Sequence, residues 1–166
     1  MAVVLRTRRE AVPDLSDAAS IVVGLRRIVR ALELYSHEVR HDFSLTAPQL
    51  WAIKTLAHSG PLTTGELAKA LLVRPSSTSL LVQRLERRGL VRRVRQRDDR
   101  RFVRIELTER GQTVASDAPA AAQGRLLHGL EGMDAKRVRK IRRAVDDIVA
   151  VMEAENVEAR FFFTGG

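Results

Sequence analysis

Apolar residues recur along this chain first at the helical period, then briefly at the strand period, then at the helical period again. From Ser16 to about Arg40, the residues Ile21, Leu25, Ile28, Leu32, Tyr35 and Val39 stand three and four apart. This is one stripe of a long amphipathic helix. In SLTAPQLWAIKTLA, Thr46 and Gln49 are spaced as a capping box with Pro48 in the first turn, which starts a second helix. Ser59, Gly60 and Pro61 end it near His58. TTGELAKAL repeats the capping logic with Thr63 and Glu66 and predicts a short third helix. A fourth starts around Pro75 and stops at Gly89, where a left-handed cap is expected. On it Thr78, Leu81, Val82 and Leu85 share one face, leaving Ser76, Ser79, Leu80, Gln83, Arg84 and Arg87 on others.

The period then changes. LVRRVRQ and RFVRIEL are two β-prone segments around a polar RDD, the pattern of a hairpin. After Thr108 the chain reads as helical to about Leu130, LEGMD makes a turn, and Asp134 is placed as the N-cap of a last helix reaching about Glu155. Along that helix Val138, Ile141, Val145, Ile148 and Met152 form a seam with the spacing of a helix-pairing face. Four parts are expected: a basic arm over 1–15, a long helix over 16–45, a helical unit closed by the hairpin over 46–108, and C-terminal helices with an aromatic tail over 109–166.

Charge narrows the choice of partner. A formal net charge of +9 on 166 residues favours a polyanion, either nucleic acid or an anionic membrane face. A membrane-surface role would need aromatic anchors, which the first helix lacks. Without any cysteine, disulfides, thiolate metal sites and cysteine nucleophiles are excluded. No apolar run has the length of a membrane span, and the apolar stretch in MAVVLRTRRE is too short for a signal peptide, so a cytoplasmic, nucleoid-associated protein is expected.

The order helix, short helix, helix, basic hairpin is the profile of a winged helix-turn-helix, and the expected fold is mainly α with a small β-hairpin wing. The fourth helix would enter the major groove with its N-terminal polar residues at base edges. Arg74, Ser76, Ser77, Ser79, Gln83 and Arg84 are the candidate contacts there. At the wing, Arg97, Arg100 and Arg101 would neutralise phosphates or enter a narrow minor groove, and Asp99 would hold a guanidinium in place.

The run Leu80-Leu81-Val82-Gln83-Arg84-Leu85-Glu86-Arg87-Arg88-Gly89-Leu90-Val91, then Asp99-Arg100-Arg101, then Leu107-Thr108-Glu109-Arg110-Gly111, resembles the MarR (multiple antibiotic resistance regulator) family. Asp99 and Arg101 occupy the two defining positions of its Asp-x-Arg wing signature, while Gln83 stands where the family usually has Asp. The detailed resemblance covers residues 46 to about 111. It implies a homodimeric bacterial repressor or activator whose N- and C-terminal helices form the dimer interface, and palindromic operators reward such two-fold symmetry. It also implies, in many members, release from DNA by small phenolic or aromatic acids.

Other features are weighed against plainer readings. His37 and His41 stand four apart, a spacing at which two imidazoles can share a metal. Glu38 and Asp42 are expected to point elsewhere, and with no third ligand a plain polar face is the better reading. Trp51 is read as core, with a cavity-lining role as the alternative. The effector site is expected from Tyr35, His37, Arg40, His41 and Trp51, an amphipathic group suited to a planar aromatic or heteroaromatic carboxylate. Phe161, Phe162 and Phe163 are expected to be covered by dimer packing or by the first helix. No phosphate-binding glycine loop, nucleophile elbow or metal signature points to an enzyme or to a cofactor. The rival function is a sequence-tolerant architectural or RNA-binding winged helix without ligand control.

Overall fold

The structure, a computed structural model, describes residues 16–95 and 103–158. Its longest helix, α1 (Asp17–Phe43), begins where the Ser16 hydroxyl accepts from the Ala19 N–H. Helix α2 (Ala47–Ser59) starts on the predicted capping box, with the Thr46 N–H donating to Gln49 Oε1 at 2.9 Å. A two-residue strand, β1 (Leu62–Thr63), follows, and Thr63 and Glu66 close a second capping box at the head of α3 (Thr64–Ala70). Helix α4 (Pro75–Arg87) carries Pro75 in its first turn, and Gly89 beyond it has a φ of 65°. A β-carbon is disfavoured in that left-handed conformation, which is why glycine stops the helix there.

The hairpin strands β2 (Val91–Arg95) and β3 (Val103–Leu107) pair antiparallel, Val91 facing Leu107 and Arg95 facing Val103. Strand β1 adds to the other edge of β3, with Leu62 opposite Ile105, giving the order β1-β3-β2. Ile105 is fully buried and seats this small sheet on the helices. The core is built from Val39 of α1, Leu50, Ile53 and Leu56 of α2, Leu67 of α3 and Val82 and Leu85 of α4, closed by Leu90 and Val91.

Two expectations about the C-terminal half are corrected. The helix expected from Thr108 to about Leu130 is two helices, α5 (Glu109–Asp117) and α6 (Ala122–Glu131). Pro119 lies in the break, because proline cannot donate to the preceding turn and restricts the residue before it. The carbonyls left open at the end of α5 are satisfied from another element: Lys54 Nζ of α2 donates to Ala115 O at 2.6 Å and Ala118 O at 2.5 Å. An ammonium at a helix C-terminus also meets the negative end of the helix dipole. The last helix, α7 (Ala135–Val151), starts on Asp134 as expected but stops before Met152, followed by turns to Glu158.

Helix α5 enters so close to the α4–β2 connection that one position must lack a side chain. A β-carbon on Gly111 would stand 2.1 Å from the Leu90 carbonyl oxygen, a backbone atom that already accepts from the Thr108 N–H. Gly111→Ala is therefore expected to destabilise the protein by roughly 3 kcal/mol or more, since neither backbone can give way. Thermal unfolding should show it as a Tm drop of about 6–12 °C. An unchanged Tm would mean that α5 does not press on Leu90.

Candidate nucleic-acid interface

Helix α4 is divided by burial. Thr78, Leu81, Val82 and Leu85 turn inward, and the Thr78 hydroxyl is satisfied by the Arg74 carbonyl. The opposite side leaves Arg74, Ser76, Ser79, Gln83 and Arg84 exposed and Ser77 half-buried, so all the candidate contacts of this helix lie outside the core. Pro75 at the first turn and short serine side chains keep the N-terminal end of this face narrow. Arg84 and Arg87 make no hydrogen bond or ion pair among the described residues, whereas Arg74 pairs with Glu158 at 3.1 Å.

The wing's arginines divide into two sets. Arg92 Nε pairs with Glu106 across the hairpin at 2.5 Å, and Arg93 reaches Glu86 of α4 at 3.2 Å. Arg104 donates to the Pro61 carbonyl at 2.9 Å and lies 4.0 Å from Glu66. These arginines of the stem fasten the wing to α4 and α3, a role that spacing alone does not reveal. Arg95 at the end of β2 is exposed to solvent. The expected tip contacts Arg97, Asp99, Arg100 and Arg101 lie outside the described residues.

The residues expected to hold an effector are not gathered around one cavity. Tyr35 is buried under α6, with the Arg125 guanidinium 5.7 Å from its ring centre. Burial pushes the Tyr35 hydroxyl up to about 12, an effect that the Ala122 backbone and the Arg125 charge only partly offset. His37, Arg40 and His41 are exposed on α1, the two imidazoles stacked with centres 6.4 Å apart. Asp42, expected to point elsewhere, instead meets His41 Nδ1 at 2.6 Å. No group of three metal-ligating side chains occurs among the described residues. Trp51 serves both readings: it is 8% exposed and also lines a cavity of about 580 Å³ between α2 and α6. Lys54, His58, Arg125 and His128 stand around that cavity with Glu131 at its edge. Sequence periodicity misses them because the helical period runs on through the α5–α6 break, which hides the angle at which α6 meets α2.

With this geometry in view, known proteins resemble the chain in sequence and in fold. The MarR family model matches residues 43–101, which hold α2 to α4 and the first wing strand. The uncharacterized HTH-type transcriptional regulator YsmB of Bacillus subtilis is 31% identical over 103 residues, covering 62% of this chain and 70% of that protein. The homoprotocatechuate degradative operon repressor of Escherichia coli is 26% identical over 133 residues, covering 80% of this chain and 89% of that protein. Among solved structures, a MarR family protein from Bacillus stearothermophilus superposes with a TM-score of 0.53 at 31% identity, covering 82% of this chain and 95% of that one.

Helix α3 carries a pH-sensitive cap. The Thr63 N–H donates to Glu66 Oε2 at 2.7 Å and the Thr63 hydroxyl at 2.9 Å, which together hold the Glu66 carboxyl below the usual carboxylate range. A group whose folded pKa is lowered contributes stability above its unfolded pKa and loses it as pH falls through the folded value. Stability of the native chain should therefore decline relative to Glu66→Gln below about pH 4.5. Parallel denaturant titrations between pH 3 and 7 check this; curves of identical shape would show that the cap is not used.

Proposed function

The chain belongs to the MarR family, and from that premise we propose that it is a homodimeric repressor that reads palindromic operators and is released by a small aromatic or heteroaromatic carboxylate. The observation that carries the reading is the division of α4 into a buried apolar face and an exposed polar one, held beside a basic wing. Base edges are read by hydrogen bonds from side chains such as Gln83, Ser76 and Ser79, while arginines of the wing contribute phosphate attraction that carries little sequence information. The relatives named as a transcriptional regulator and an operon repressor support a regulatory role.

Dimerisation is supported by apolar surface that the described residues leave uncovered or covered only in part. Ile21, Val22, Ile28 and Val29 of α1 are exposed, and none of α7 is buried although Val138, Ile141, Val145 and Ile148 form a stripe along it. Such a contiguous apolar face is characteristic of a pairing surface. In the proposed division of labour, residues 46–108 read DNA and the segments 16–45 and 109–166 pair two copies, setting the distance between two α4 helices. Half-sites one helical turn apart, roughly 34–36 Å, would match that arrangement.

The effector would bind in the α2–α6 cavity and not at the α1 histidines. Trp51 offers an aromatic wall, and Lys54, His58, Arg125 and His128 offer donors to a carboxylate. Homoprotocatechuate, whose degradative operon the Escherichia coli relative represses, is an acid of this chemistry.

The DNA reading is tested by binding at fixed salt. Gln83→Ala should cost about 1–3 kcal/mol at particular operator positions and change the preferred sequence. Arg100→Ala or Arg101→Ala should weaken all duplexes alike and lower the salt slope by about one for each phosphate no longer neutralised. A uniform loss from Gln83→Ala, with specific palindromes bound no better than random duplex, favours the architectural alternative.

Effector control is tested separately. Small aromatic carboxylates should quench Trp51 fluorescence and weaken operator binding by about 5- to 150-fold, the usual range of such coupling. Arg125→Gln should reduce both effects while His41→Ala leaves them intact. If only the α1 substitution mattered, the cavity assignment would be wrong.

A further inference from the structure

One apolar side chain stands in the exposed polar face of α4. Leu80 is 51% exposed. The residues three and four positions away from it, Ser76, Ser77, Gln83 and Arg84, are all polar, and none is buried. Leu81, Val82 and Leu85 project from the other side of the helix into the core. A single exposed leucine needs no explanation on an ordinary surface. The place of this one sets it apart. The exposed apolar residues of α1 and α7 lie in stripes that a second copy would cover, whereas Leu80 sits among the side chains that would meet DNA.

A helix that carries Ser76, Ser79 and Gln83 to base edges carries Leu80 with them, because residues three and four apart share a face. Leucine has neither donor nor acceptor. Against a guanine, adenine or cytosine edge it would cover an O6, N7, N6 or N4 group and leave that group without water or partner, which is costly. Thymine differs, because its C5-methyl is the one methyl group in the major groove. The rise from Leu80 to Gln83 is about 4.5 Å, against about 3.4 Å between base pairs. The two side chains are thus spaced to meet neighbouring pairs.

We propose that Leu80 is a specificity-determining residue that selects a thymine of the operator half-site by packing on its C5-methyl. This selectivity rests on the DNA-reading role of α4 proposed above. It has two parts. The methyl contact removes apolar surface of both molecules from water, and any other base at that position strands a polar edge beneath the leucine. No charge is involved, so the preference persists as salt is raised, unlike the phosphate attraction of the wing arginines.

Deoxyuridine lacks only the thymine methyl, which makes the contact directly testable. Duplexes enriched by the native chain from a randomised pool are remade with each thymidine in turn replaced by deoxyuridine. At one thymine, next to the position whose preference Gln83→Ala changes, the native chain should bind about fourfold more weakly, the factor expected for one methyl lost from the contact. Leu80→Ala should bind the thymidine duplex about five- to tenfold more weakly and no longer distinguish it from the deoxyuridine duplex. Leu80→Met, still long and apolar, should keep the distinction. Because Leu80 is exposed, Leu80→Ala should leave Tm nearly unchanged, which separates lost contact from lost fold. Native-chain binding that is indifferent to deoxyuridine at every position would overturn the leucine contact and leave operator reading intact. A methyl effect that survives in Leu80→Ala would also overturn it, since another residue would then make the contact. If the native chain enriches no sequence at all, the DNA reading of α4 falls and the role of Leu80 with it.

Discussion

The orientation of α4 about its own axis is the constraint on which the rest depends. Leu81, Val82 and Leu85 are drawn into the core with Leu50, Ile53 and Leu67, and Thr78 joins them because its hydroxyl can bond the Arg74 carbonyl one turn back. Each large apolar side chain contributes roughly 1.5–3 kcal/mol when removed from water, so rotating the helix to bury its serines would forfeit several of these at once. The polar face is thus held outward by the burial of the other. The wing follows from the same packing, since Leu90 and Val91 run from the end of α4 into the core and Arg93 returns to Glu86. A recognition surface needs this fixed geometry, because base edges are read only by side chains placed to within hydrogen-bond tolerance.

The link between this unit and the terminal helices joins apolar contacts of Val39, Ala115 and Ala121 to one local polar contact. Lys54 spans from α2 to the last carbonyls of α5, at the point where Pro119 prevents the helix from continuing. The same lysine borders the α2–α6 cavity. An anion entering there would compete with the Ala115 and Ala118 carbonyls for one ammonium, and the α5–α6 junction would respond. The proposed effector would then act on a joint between two groups of helices and need not touch α4. Its leverage is limited by its differential affinity for the two arrangements of that joint.

What is legible in the sequence is local. The capping boxes at Thr46–Gln49 and Thr63–Glu66, the Pro75 start, the Gly89 stop and the Asp134 cap are signals spanning four residues or fewer, and the structure carries each of them. The break at Pro119 is equally local but is masked, because the apolar period continues on both sides of it. Strand β1 is beyond reach, since two residues have no period and pair only because β3 offers a free edge. The stem ion pairs and Lys54 join residues far apart in the chain, which spacing cannot reveal. The effector set fails to assemble for a geometric reason. Tyr35 and Val39 are turned into the core, so on the same helix His37, Arg40 and His41 must face elsewhere.

Helix α7 is the clearest case of structure that makes sense only beyond one chain. It is strongly two-sided, with Val138, Ile141, Val145 and Ile148 along one face and Lys136, Arg139, Lys140 and Arg143 along the opposite one, yet no residue in it is buried. An isolated helix of this length is marginal in water, and helical proteins stabilise such segments mainly by packing an apolar face. Among the described residues that face is covered only in part, Val145 being exposed and Val138, Ile141 and Ile148 half-buried, whereas in the proposed dimer a second copy would cover it along with the exposed stripe of α1. The basic face would then stay in solvent, keeping the pairing surface apolar and leaving the like charges apart. On this view the same burial that stabilises α7 fixes how far apart two copies of α4 are held, so that stability of the pair and recognition of a two-fold operator are consequences of one packed seam.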